Sequence, residues 1–378
     1  MLKITGWQVI FNIVLFLVAF LILKPSLKGK HCVNKGQRAF AIFVLFIFFV
    51  FGYNDLDYLH YKQLLLERNP YELLHLEVVY LGLLDIVNYS HLLFRIIVFG
   101  GALLLYLLSI KRLNVDFDLN LLFFVVICAV ISNYGRWTLA LSISFLGFSF
   151  IAKPINQQWL VRLVSYLIGF LLISVSLFFH RSILILVPLY IVVLFIKSMN
   201  KAKLYFMILV LMAVVYFLYY YGAELIPLIT TADSLEQFEA SRSVGEVAGQ
   251  GDIGIGMIIN YTFENIARYL SIFLYIKLIL RGYYKKWPLE MKLVSTLVIV
   301  IMLFSSFFLI PMGGLDMFTL YYRFMFFSSF PMCIFCAYAY QRNELRHMVM
   351  TIFYFSLIYQ IYNMSYHAYH AFLGIWVV

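Results

Sequence analysis

Long apolar runs alternate with short polar gaps along the whole chain. A run of roughly 20 apolar residues suffices for a helix to cross the hydrocarbon core of a bilayer. The first run has no basic leader and no small-residue cleavage site, so we interpret it as a retained helix. The pattern predicts an all-α, polytopic integral membrane protein, residues 1–378 forming a single transmembrane domain of about twelve helices. The predicted spans are Trp7–Leu23, Ala39–Gly52, Leu92–Ile110, Leu119–Ser132, Trp137–Ala152, Leu163–Phe179, Ile183–Ile196, Leu204–Tyr221, Met257–Leu280, Leu293–Ile310, Phe324–Tyr340 and Met348–Met364.

The basic residues are distributed unequally between the two sets of gaps. Alternate gaps, beginning with residues 24–38, contain 18 Lys and Arg, whereas the opposite gaps contain six. Because positively charged loops stay on the cytoplasmic side, this bias predicts that both termini lie outside. The composition agrees, since 64% hydrophobic residues leave too little polar surface for a water-soluble fold. The net charge of +10 is dispersed over short loops, which excludes a nucleic-acid-binding patch.

Two of the outward-facing segments are too long to be turns. Residues 53–91 mix acidic residues with Tyr and Leu at helical spacing, which predicts amphipathic helices at the outer face. Residues 222–256 are acidic and end in closely spaced glycines, which predicts a lid element over a site.

A set of arginines lies at the predicted outer ends of the spans. A charged side chain is costly at that depth, so it is retained when it is paired with another group or needed for function. Guanidinium groups offer a planar fork of donors that suits phosphate, so this set predicts a site for a lipid-linked diphosphate. The alternative is interfacial anchoring, in which each side chain only reaches the headgroups. The predicted diphosphate-binding residues are Arg136, Arg181, Arg323, Arg268 and Arg95, with Tyr322 beside Arg323.

Four residues are candidates for a catalytic base. His180 lies in a short outward turn, and its titration range suits deprotonation of a sugar hydroxyl; a buried structural His is the alternative. Glu77, with Tyr80 one helical turn later, is a second candidate. Asp55 and Asp57 form an Asp-x-Asp pair, but two carboxylates do not make a metal site, so we predict no cofactor and leave a divalent metal open.

These motifs, in this order, resemble those of the EpsG-type branch of the Wzy polysaccharide polymerases. The resemblance covers roughly residues 50 to 190, about a third to a half of the chain, and Tyr322-Arg323 extends it. One departure is Trp137, because the family often has Gln after this Arg. The motifs concerned are Tyr53-x-Asp55-x-Asp57-Tyr58, Glu77-x-x-Tyr80, Arg136-x-x-x-Ala140 and His180-Arg181-Ser182.

The resemblance implies a GT-C-like glycosyltransferase of the bacterial cytoplasmic (inner) membrane. Such an enzyme joins undecaprenyl-diphosphate-linked oligosaccharide repeat units at the periplasmic face, in exopolysaccharide or O-antigen biosynthesis. Its partners would be the lipid-linked oligosaccharide, membrane lipids and a chain-length regulator protein, with no nucleic acid.

Three other classes of protein fit part of the pattern. A lipid-linked oligosaccharide flippase or other transporter would also be multi-span, although transporters place ionisable groups near the bilayer midplane. An O-antigen ligase shares the chemistry but uses a different acceptor. An acyltransferase would need a supported cytoplasmic His, and neither His31 nor His347 has suitable neighbours.

Overall fold

The computed structural model describes most of the chain as helix. The described residues are 6–29, 32–52, 78–128, 135–155, 158–196, 255–306, 321 and 324–372, together with 200, 202–203, 205–206, 209, 213 and 216. Within these ranges there is no strand, which confirms the all-helical prediction.

Within the described ranges, twelve helices are numbered in chain order; they are not the twelve predicted spans, since α3 (Val78–Ile86) was not predicted to cross the membrane. α4 contains one turn of π-helix, Ile96–Gly100, and a 3₁₀ turn, Arg181–Ile185, precedes α8. The helices are α1 Gly6–Leu23, α2 Lys35–Phe51, α3 Val78–Ile86, α4 His91–Leu113, α5 Phe117–Cys128, α6 Gly135–Ala152, α7 Trp159–Phe179, α8 Leu186–Ile196, α9 Ile255–Leu280, α10 Leu289–Ser306, α11 Ser329–Gln341 and α12 Arg346–Phe372.

The helices form an inner and an outer group. Every side chain from Asp118 to Cys128 in α5 is buried, and α11 is buried from Ser329 to Ala337. Around them, α1 and α7 present apolar side chains outward, including Trp7 at 74% and Leu171 at 64% exposure. A water-soluble protein does not expose apolar faces of this extent, so these faces are suited to lipid.

Five segments are long and apolar enough to cross a membrane, by length and composition: Gly6–Lys28, His91–Leu113, Trp159–Phe179, Leu289–Ser306 and Phe324–Gln341. Each coincides with a predicted span. The other predicted spans within the described ranges coincide with helices that do not meet that criterion, and most of Leu204–Tyr221 lies outside those ranges.

Two helices extend beyond the predicted spans for local reasons. α2 begins four residues before Ala39 because Asn34 and Gln37 form a capping box, in which each side chain accepts a hydrogen bond from the other's backbone N–H. α12 continues past Met364 to Phe372, since no proline or glycine interrupts it there.

Glycine allows α6 and α7 to approach closely. A Cβ on Gly147 would lie 2.6 Å from the Gly169 carbonyl oxygen, and a Cβ on Gly169 would lie 2.7 Å from the Gly147 carbonyl oxygen. Small residues at a crossing let two backbones touch, and this is a common means of helix association in membranes. α6 and α7 are therefore an antiparallel pair that crosses near Gly147 and Gly169.

Polar contacts join the helices at one end of the bundle, and we call this set of contacts the polar network. Arg38 at the start of α2 forms a bidentate ion pair with Asp118 of α5, at 2.5 and 2.7 Å. This carboxylate raises the pKa of Arg38, chiefly through the hydrogen bonds. Further contacts join other gaps at this end: Arg112 with the Lys153 carbonyl, Lys153 with Glu290, Trp287 with Glu344, and Arg346 with the Leu27 carbonyl. All of these residues lie in or beside gaps of the basic set.

Candidate functional site

The first candidate residues lie where α6 begins and α7 ends. Arg136 is in the first turn of α6, and His180 is the residue at which α7 ends, its backbone N–H donating to the Ser176 carbonyl at 3.1 Å. Arg136 is 11 residues from Gly147, and His180 is 11 residues from Gly169. At 1.5 Å per residue, both lie about 17 Å along their helices from the crossing point. The structure therefore brings Arg136, His180 and Arg181 to the same level of the bundle.

Arg95 of α4 lies at this same end. α4 runs parallel to α6, because Gly101 faces Leu139 and Arg112 stacks on Phe150 at 3.7 Å. Arg95 is six residues before Gly101, which places it near the level of the first turn of α6.

The Arg95 guanidinium caps the carboxyl end of α2. Nε donates to the Val50 carbonyl at 2.5 Å, and Nη2 donates to the carbonyls of Phe49 and Gly52 at 3.1 and 3.0 Å. The last carbonyls of a helix lack intrahelical donors and carry partial negative charge, so a cation is favourable there. Arg95 is 5% exposed, and it does not reach outward as interfacial anchoring would require. These contacts give it a structural role.

Arg268 of α9 is held by the segment before α11 and by the first residue of α11. Nη1 donates to the Met325 carbonyl at 3.1 Å and to Ser328 Oγ at 2.8 Å, and Nη2 donates to Ser329 Oγ at 3.0 Å. The guanidinium lies 5.2 Å from the centre of the Phe326 ring. At 2% exposure this side chain does not anchor at a lipid surface either.

Ring contacts connect these positions with one another. Trp137, directly after Arg136, stacks on Phe327 at 4.9 Å and meets the edge of Phe326 at 6.1 Å, so the start of α6 adjoins the segment that holds Arg268. Tyr80 of α3 contacts both Phe94, beside Arg95, and Phe179, beside His180. Arg136, His180, Arg181 and Arg95 therefore share one end of the bundle, opposite the polar network, while Arg268 lies near the middle of α9.

The remaining candidates lie outside the described residues. They are Asp55, Asp57, Glu77, Tyr322 and Arg323, with the side chains of Arg136 and Arg181 and most of the predicted outer segments, 53–91 and 222–256. Of the segment 53–91, α3 is described: Tyr80 is fully buried while Ile86 is 80% exposed, as expected for a helix with one packed face.

Two cavities border α9. The smaller, about 10 Å³, is lined by Arg268 and by Ser356, Tyr359 and Gln360 of α12. The larger is an open groove of about 360 Å³ lined by apolar atoms of α9 from Thr262 to Phe273. Neither brings two of the candidate arginines together. In the part of the chain that is described, no group of three His, Cys, Asp or Glu is arranged to hold a metal ion.

Sequence reasoning missed Ser328 and Ser329, which hold Arg268, and Gln360, which lines the small cavity beside it. Ser328 and Ser329 form a Ser-Ser pair inside an apolar run, and Gln360 is a polar residue in the middle of an apolar helix. Gln360 is fully buried and donates to the Ile127 carbonyl at 3.4 Å. Polar residues within spanning helices usually face the interior of a bundle, and that signal was available in the sequence.

We compared the chain with protein-family models, with characterised proteins and with solved structures, and nothing matches it. The resemblance to the Wzy polymerases rests on the motifs given above.

Proposed function

We propose that this protein is a membrane glycosyltransferase that polymerises lipid-diphosphate-linked oligosaccharide repeat units. It would span the membrane about twelve times with both termini outside, in a GT-C-like arrangement. Transfer of one lipid-linked glycan to the sugar hydroxyl of another releases the polyprenyl diphosphate.

One observation carries this proposal: Arg136, His180, Arg181 and Arg95 lie together at a single end of the bundle. Arg136 and Arg181 lie level with His180, and Arg95 is fixed at the same end through backbone carbonyls. Arg268, near the middle of α9, is held by serine hydroxyls, and Phe326 lies between it and the start of α6. A transporter would instead place most of its ionisable groups towards the middle of its helices, whereas Arg268 alone of the described candidates lies there.

The residues divide into two roles under this proposal. Arg136, Arg181 and Arg323 bind the diphosphate and stabilise the negative charge that develops as it leaves, with Tyr322 beside them. Arg95 and Arg268 position the helices around the site, and their positive charge attracts the same anion. His180 or one of Glu77, Asp55 and Asp57 deprotonates the acceptor hydroxyl.

The direct test supplies the purified, reconstituted protein with a lipid-linked repeat unit and examines the products for a polymer ladder. We expect Arg136→Ala, Arg181→Ala and Arg323→Ala to abolish the ladder without affecting membrane insertion. Arg→Lys at these positions should also impair it, because a point charge does not reproduce bidentate contacts. Arg162→Ala, an exposed residue at the opposite end, is the matched control.

Two outcomes would contradict the proposal. Full activity of the three Arg→Lys variants would leave only a headgroup role for these residues. Repeat units that cross the membrane without being extended would instead support a flippase.

A further inference from the structure

The carboxyl end of α9 carries four exposed basic residues, which we call the α9 basic patch: Lys277, Arg281, Lys285 and Lys286. The first two are four residues apart and so share one face of α9. Lys285 and Lys286 follow in the 3₁₀ turn Tyr283–Lys286. Within the described ranges, none of the four is ion-paired. Glu290 instead pairs with Lys153, and Glu344 accepts from Trp287 and lies near Arg342.

Buried aromatic residues hold this turn in place. Gly282 ends α9 with φ of 76°, a left-handed conformation that favours glycine. Tyr284, 1% exposed, donates to the Lys292 carbonyl at 3.0 Å, and the indole of Trp287, 3% exposed, donates to Glu344 at 2.6 Å. Lys285 and Lys286 are exposed between these two anchors, so the position of their charge is defined by the fold.

The open groove of α9 continues from the patch along the same helix. Its lining residues repeat at helical spacing from Thr262 through Tyr269 to Phe273, and Lys277 follows one turn later. Its polar groups are satisfied within the protein, because Asn265 Oδ1 accepts from Tyr321 and Tyr269 shares a hydrogen bond of 3.0 Å with Ser306. The surface offered to a ligand is thus apolar along the groove and cationic at its end.

We propose that the α9 basic patch and its groove bind one anionic phospholipid. The phosphate group lies against Lys277, Arg281 and the turn, and one acyl chain lies along the groove past Phe273. An anionic phospholipid has a long apolar chain next to a charged phosphate, and this surface is apolar along the groove and cationic at its end. Clusters of basic residues bind anionic lipids in this way. The patch lies at the end opposite Arg136 and His180, so the proposal does not depend on the polymerase function.

Native mass spectrometry of the full-length protein in detergent tests this inference. The probes are phosphatidylglycerol and phosphatidylcholine with identical acyl chains, at equal concentration. The wild-type protein should retain phosphatidylglycerol preferentially. Lys277→Gln, Arg281→Gln, Lys285→Gln and Lys286→Gln, singly and combined, should weaken that retention about fivefold for each charge removed.

A matched variant carries Lys24→Gln, Lys28→Gln, Lys35→Gln and Arg162→Gln. These residues are also exposed, and the same charge is lost away from the patch. It should retain phosphatidylglycerol as the wild type does. Equal loss in both combined variants, or no preference in the wild type, would overturn the inference. Equal retention of soluble glycerol phosphate would also overturn it, because the groove would then contribute nothing.

Discussion

Arg95 shows how backbone carbonyls help to compensate a buried cation in this bundle. Three of its hydrogen bonds end on carbonyls 43 to 46 residues earlier in the sequence. The sequence indicated a buried arginine near the end of a span, but the identity of its partners depends on how α2 packs beside α4. This is why the contacts of Arg95 could not be predicted, whereas its depth could.

We expect Arg95→Met to destabilise the protein even without substrate. Methionine preserves much of the volume but leaves the carbonyls of Phe49, Val50 and Gly52 without this donor, at a cost of roughly 2–3 kcal/mol. Thermal unfolding in detergent should show a clear decrease in the melting temperature. Arg162→Met is the control, because Arg162 is exposed. A variant that melts like the wild type but loses activity would show that Arg95 serves the ligand instead.

At the same scale, the Arg38–Asp118 pair should stabilise the contact between α2 and α5. Both carboxylate oxygens of Asp118 accept hydrogen bonds from Arg38, and the Asp118 side chain is 7% exposed. The Arg38 side chain is 34% exposed, so solvent partly screens the pair. A double-mutant cycle with Arg38→Met and Asp118→Asn should therefore give a coupling of about 1 kcal/mol. The Arg342–Glu344 pair, 4.0 Å apart with Arg342 44% exposed, serves for comparison and should give almost none. Equal couplings would show that the bidentate geometry contributes nothing.

Among the elements, the apolar runs identified the helices well because lipid requires every spanning segment to satisfy its own backbone. The ends of the helices were harder to predict. The start of α2 depends on Asn34 and Gln37, a capping box visible in the sequence. The crossing of α6 and α7 depends on Gly147 and Gly169, which are unremarkable in sequence and become important only as a pair.

The close crossing leads to a prediction for Gly147→Val. Its side chain would collide with the Gly169 carbonyl and with Ile173, so α6 and α7 must separate. We expect lower thermal stability and loss of activity, since separation displaces Arg136 relative to His180. Gly82→Ala is the matched control, because nothing lies within 4 Å of the added methyl group. Wild-type stability of Gly147→Val would argue against this crossing.

At the scale of the whole molecule, the bundle has two chemically distinct ends. At one end, polar contacts of Arg38, Arg112 and Arg346 join the basic gaps of the sequence, while Arg136, His180 and Arg95 lie at the other end. The charge bias predicted this grouping because loops on one side of a membrane must share an end of the bundle. It could not predict which loops touch, since that depends on the lateral order of the helices.

The orientation of these ends can be tested with the protein's own cysteines. Cys32 is exposed in the first basic gap, whereas Cys128, Cys333 and Cys336 are fully buried. If the basic end faces the cytoplasm, a membrane-impermeant maleimide should label the wild-type protein in inside-out vesicles and not in intact spheroplasts. Ile86→Cys in a Cys32→Ser background should give the reverse pattern, because Ile86 is 80% exposed at the end where α3 packs. The Cys32→Ser variant should remain unlabelled in both preparations. Labelling of Cys32 from the outside would invert the orientation, place Arg136 and His180 in the cytoplasm, and remove the basis for polymerisation at the periplasmic face.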